Sequence, residues 1–222
     1  MRTVNQHIEA QSRRLSVHPF FTDLRPQPSL QQALVFAPVL SPWVMSFQDV
    51  IRINADLAVE PTIRRQLKQH AAEDQGHEAW FLEDLRMLFG DRTRDVAWLF
   101  GQETAVTRAA TLAIASEAFR IGDDRLRLVY IDAIEAASHT FIEHVHRHVQ
   151  ESGDAAQLKY FGRTHEQAEA AHEMREEGAE WHSPEMDLPA SVRSDAIALV
   201  DRVFAEFSRM AESARHSSSR TG

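Results

Sequence analysis

The chain has 222 residues, no cysteine and a formal charge of −9. That length suits one large domain with its own apolar core. The missing cysteines exclude a disulfide framework, a thiolate metal site and a thiol nucleophile, and they agree with a reducing cytoplasm. The basic residues are scattered rather than striped, which argues against nucleic acid or an anionic membrane as partner. The start, MRTVNQHIEAQSRR, has no apolar signal region, and no later stretch is apolar for long enough to span a bilayer. The expectation is a soluble, cytoplasmic protein.

In chain order, Pro28-Ser29 can open a helix that reaches the region of Asp56, bent near Pro38 and Pro42. Pro61 fits a first helical turn. From it a helical pattern with Leu67, Ala71, Trp80, Phe81, Leu82, Leu85 and Leu88 runs to a stop at Gly90. A second pattern spans Glu103 to Ile121 and ends at Gly122-Asp123-Asp124. A third covers Arg125 to Gln150, closed by Ser152-Gly153-Asp154, and the next extends to about Trp181, ahead of His182-Ser183-Pro184. A last amphipathic helix fits Pro189 to Arg215, and SSSRTG from Ser217 lacks apolar anchors. β-branched alternation is almost absent. The fold class predicted is all-α: a single-domain bundle of roughly six to eight helices over residues 1–216, with a flexible tail at 217–222. Trp43, Phe47, Phe81, Trp98 and Phe100 read as core at helical spacing, with Trp80 set beside the polar clusters.

The chain carries 12 histidines, and their placement matters more than their number. In HEQAEAAH, His165, Glu169 and His172 stand at i, i+4 and i+7, within one arc of a helix. This mixture of imidazole and carboxylate suits iron, manganese or zinc; an exposed, charged helix face is the bland alternative. In KQHAAEDQGHEAWF, His70, Glu73 and His77 share a face by the same measure, and in YIDAIEAASHTFIEHVHRH Glu135 and His139 are one turn apart. A buried carboxylate has to be paired, protonated or metal-bound. If Glu73, Glu135 and Glu169 converge, two divalent ions nearly balance them. Glu117, inside the apolar IASEAF, is a candidate substrate contact or a satisfied buried acid. The His144, His146, His148 run reads as a polar helix face, and His18 as structural.

The ED-x-G run at Glu73, the YIDAIEAAS segment and YFGRTHEQAEAAH resemble the haem-oxygenase-like fold, and more narrowly its non-haem diiron oxidase and oxygenase branch. HPFFTDL, from His18 to Leu24, resembles the opening of that superfamily, so the likeness spans roughly residues 15 to 180. The resemblance implies metal ligands at Glu73, Glu135, His165, Glu169 and His172. Where the family pattern has a further histidine, seven residues after its glutamate, this chain has Trp80; His77, or else His70, is left to supply that imidazole. It further implies two iron ions or one, with manganese or zinc as alternatives, O2 and a small organic metabolite such as an amino acid or fatty acid derivative as substrates, and a homodimer. A ferritin-like site is disfavoured, because the Glu-x-x-His pairs at Glu143 and Glu169 fall on consecutive predicted helices. A haem site, a cofactor-free oxidase of the same fold and a metal-free helical binding protein are the remaining alternatives.

Overall fold

The computed structural model describes residues 3–90, 95–165 and 188–219. Among these the chain is all-α, a single-domain bundle without a strand. Ten helices carry it: α1 (Val4–Ser16), α2 (Pro19–Thr22), α3 (Leu30–Ala33), α4 (Ser41–Leu57), α5 (Pro61–Glu73), α6 (His77–Phe89), α7 (Val96–Leu99), α8 (Ala105–Arg120), α9 (Asp124–Ser152) and α10 (Ala190–Ser219). A 3₁₀ turn at Ala37–Leu40 feeds α4, and another helical turn begins at residue 163. No helix among the described residues is long and apolar enough to cross a membrane.

Local chemistry sets most of these boundaries. Thr3 and Gln6 close a capping box on α1, a helix the periodicity reading did not include. The His18 ring accepts the Phe20 N–H through Nδ1 and so caps α2, with Pro19 in the first turn. The stretch predicted as one bent helix from Pro28 is three pieces, because Pro38 and Pro42 each remove a backbone donor. α10 continues three residues past the expected start of the tail, with the hydroxyls of Ser217, Ser218 and Ser219 bonded back to carbonyls of the preceding turn.

α9 is the centre of the bundle. Asp123 accepts the Arg125 N–H at its start, and neither glycine nor proline interrupts its 29 residues. Leu126, Tyr130, Ala133, Ala137, Phe141, Val145 and Val149 are buried along it at steps of three or four residues. α10 packs on α9 and α8, α1 packs on α9 and α10, and α4 lies against α5 and α8. Phe20, Phe36 and Phe141 meet with ring centroids 4.9–5.3 Å apart around Phe20. Burying rings of this size is worth about 1.5–3 kcal/mol each.

The expected polar face at His144, His146 and His148 is not what α9 presents. His146 and His148 are buried, bonded through Nε2 to the carbonyls of Tyr160 and Ala33, and His144 packs on Phe21. In both rings Nε2 reaches a carbonyl outside α9, which is why imidazole is tolerated there. Phe100 departs the other way. Read as core, it is 71 % exposed.

One buried cation ties three helices together. Arg127 of α9 donates to the carbonyls of Ala118 and Ile121 at the end of α8, to Asn54 Oδ1 of α4, and to Asp124. The Asp124 carboxylate also accepts the N–H groups of Val59 and Glu60. Burial opposes its charge, but these backbone donors and Arg127 hold its pKa below the usual carboxylate range. Arg127→Met therefore leaves two carbonyls and a carboxylate short of partners. Urea unfolding should show a loss of about 2–4 kcal/mol.

Candidate metal centre

The helical run predicted from Pro61 to Gly90 is not continuous. It stops at Glu73 and restarts at His77, across a turn in which Gly76 takes φ +106°. The sequence itself sets this break, since glycine adopts that conformation without a Cβ penalty. Its consequence is geometric. His77 no longer continues the face of α5, and the residue one turn after His70 on that face is Asp74.

At the end of α5 the Asp74 N–H still bonds to the His70 carbonyl, and Gln48 of α4 donates through Nε2 to the Ala71 carbonyl at 2.7 Å. Glu78, in the first turn of α6, accepts the Gly76 N–H at 3.2 Å. The two helix ends are thus held by neighbours, and the turn between them aims side chains inward.

His70 and Asp74 are 8 % and 5 % exposed. The His70 Nε2 lies 2.9 Å from Glu135 Oε1 on α9 and 3.1 Å from Asp74 Oδ2. One ligand atom from each of the three residues lies within 4.8 Å of the other two. Bonds of about 2.1 Å to a divalent first-row ion put neighbouring ligand atoms roughly 3 Å apart. The short separations here match that spacing, and one imidazole with two carboxylates is a donor set that suits iron, manganese or zinc.

The cluster opens on a narrow cleft of about 60 Å³. Trp43 and Phe47 of α4 form an apolar wall, Ser138, His139 and Ile142 of α9 a second, and His77, Tyr160 and His165 a third. The His77 ring stacks on Trp80 at 4.9 Å and meets the His165 ring edge-on at 4.7 Å. His165, buried at the start of the turn from residue 163, bonds through Nδ1 to the Tyr160 carbonyl at 3.1 Å. Donation from Nδ1 leaves the lone pair on Nε2, the tautomer that a metal-ligating histidine adopts when a carbonyl orients it.

Asp84 of α6 fixes the loop that supplies this carbonyl. It is fully buried and accepts the N–H groups of Lys159 and Phe161 at 2.8 and 3.0 Å. Burial pushes its pKa up, against the pull of those backbone bonds. In the sequence Asp84 is the second of two adjacent acids, Glu83 and Asp84, and its place three residues after Phe81 and beside Leu85 is the signal that it shares their buried face.

The expected ligands divide as follows. Glu135, His77 and His165 line one cleft, and so does His139, although its side chain is largely exposed. His70, named as a further candidate, is at the centre of the cluster. Glu73 is not in it: its Oε1 accepts from Gln69 on the exposed side of α5. Asp74, the second acid of the ED-x-G run, takes that place. Glu117 is away from the cleft, buried against Arg120 and Arg202. Glu169 and His172 lie outside the described residues.

The break makes a sharp contrast between two glycines. Nothing lies within 4 Å of a Cβ built on Gly76 or on Gly122, but only Gly76 has a positive φ. Gly76→Ala should cost about 1–2 kcal/mol in urea unfolding through backbone strain alone. Gly122→Ala should be neutral or stabilising by up to about 1 kcal/mol.

No family model matches the chain, and no curated protein does either.

Proposed function

We propose that this protein is a non-haem iron enzyme, an O2-dependent oxidase or oxygenase acting on a small organic metabolite. The observation that carries the metal reading is the meeting of buried His70 and Asp74 with half-buried Glu135 at the floor of an aromatic cleft. Two carboxylate oxygens crowd one imidazole nitrogen, and a buried carboxylate such as Asp74 in that arrangement calls for a cation. O2 and oxidation rest on the resemblance of the ED-x-G, YIDAIEAAS and HEQAEAAH segments to diiron oxygenases.

In this reading His70, Asp74 and Glu135 hold the first ion. His77 and His165, on the opposite wall, serve a second, together with Glu169 and His172 of the same motif. Iron is the expected metal, with manganese or zinc compatible with the same donors. A bound ferrous ion supplies the redox chemistry that O2 requires. The chain supplies the rest. Trp43, Phe47 and Ile142 bind the apolar part of a substrate and exclude water, and the Tyr160 carbonyl holds His165 in one tautomer. Asp84, by fixing residues 159 to 161, keeps that carbonyl in place.

A metal-free helical binding protein is the second reading. What favours it is that His70 Nε2 already bonds the Glu135 carboxylate at 2.9 Å and, when protonated, forms an ion pair with Asp74 at 3.1 Å.

Anaerobic titration with ferrous ion separates the two. The chain should take up one to two equivalents, tightly enough to survive desalting. Asp74→Ala and His70→Ala should each abolish uptake at the first site, whereas Glu73→Ala should leave it within about twofold. Absence of uptake by the folded wild-type chain would sink the metal reading. Equal losses in Glu73→Ala and Asp74→Ala would show that the first ion is not held by His70, Asp74 and Glu135.

A further inference from the structure

α8 is apolar on both sides. Its inner side, with Thr107, Ala110, Thr111, Ile114 and Ala118, packs on α10 and α4. Its outer side carries Ala105, Val106, Ala109, Leu112, Ser116 and Phe119, and not one charge among them. Val106, Leu112 and Phe119 are 42 %, 67 % and 66 % exposed. A helix with apolar side chains on two opposite faces is ordinarily covered on both.

Two cations flank this face: Arg120, paired with Glu117 at the end of α8, and Arg108 near its start. Arg108 donates to the carbonyls of Leu99 and Gly101 and to the Thr104 hydroxyl, and its guanidinium lies over the Phe100 ring at 5.4 Å. Phe100 thus extends the stripe beyond the start of α8. Val96, one turn before Phe100 on α7, extends it further; these two are 68 % and 71 % exposed.

We propose that the outer face of α8, with Val96 and Phe100 of α7, is the interface through which two copies of this chain pair about a twofold axis. Two properties of the stripe select a second copy as the occupant. The first is its area. With about 200 Å² for a phenylalanine and somewhat less for leucine or valine, the five exposed side chains offer on the order of 500 Å². A standard interface buries about 800 Å² per partner, of which roughly 60 % is apolar. The patch supplies that apolar share.

The second is its self-complementarity. Ala105, Leu112 and Phe119 recur every seven residues, the spacing of a seam between two packed helices. When two such helices cross antiparallel about Leu112, Leu112 meets its own copy. Phe119 of each then falls opposite Ala105 of the other, large against small. A symmetric pair requires one surface to fit itself in this way. No like charges are brought together, so the charge of −9 on each chain does not oppose the seam locally.

Sedimentation of the full chain at micromolar concentration should give twice the 25.3 kDa of one chain. Leu112→Glu and Phe119→Glu should each reduce it to one chain with unchanged helical circular dichroism, and Leu112→Met should remain paired. The absence of native cysteine allows a second test. Mild oxidation should link Leu112→Cys chains into a covalent dimer, and should not link Ala72→Cys chains, which carry the thiol on exposed α5 surface. A monomeric wild type, or a dimer whose mass survives both glutamate substitutions, overturns the proposal. So does cross-linking at residue 72 but not at 112.

Discussion

The contact between His70 and Glu135 joins the end of α5 to the middle of α9, and the candidate centre depends on it. Both groups are polar and sit over an apolar bundle, where an unsatisfied imidazole or carboxylate is costly. The chain meets that cost by bringing three such groups together, with Asp74 as the third. The arrangement is possible only because α5 ends where it does. Had the helix continued through Gly76, the His77 ring would lie on the α5 face instead of against Trp80 and His165.

The opposite wall follows the same logic at one remove. Asp84 offers its two carboxylate oxygens to consecutive parts of the loop after α9, and the loop in turn offers the Tyr160 carbonyl to His146 and His165. A buried acid on α6 thereby sets the orientation of an imidazole on another element. The cleft is therefore framed by supports rather than by flexible side chains, and metal ligands or a substrate meeting it encounter groups already aimed.

How much of this could be read beforehand depends on the kind of signal. Helical periodicity located the centres of α8, α9 and α10 within a few residues, because an apolar stripe every three to four residues has to face a core. It failed at Gly76, where a single glycine among good helix formers is ambiguous until its φ is known. That ambiguity placed Glu73 in the site and left out Asp74, its neighbour in sequence but a hundred degrees around the helix. It also hid the roles of His146 and His148, whose partners are carbonyls far along the chain.

By itself the sequence determined that the protein is helical, that it has no cysteine chemistry, and that histidine and acid recur on several helices. These follow from composition and from spacing within one element. Tertiary structure decided which of those residues meet. It brought His70, Asp74 and Glu135 to one point, turned Glu73 and Glu117 away from it, and left the outer side of α8 bare. The reason is that convergence depends on where helices stop and on how they pack, and a one-residue shift in a helix end rotates every later side chain to a different face.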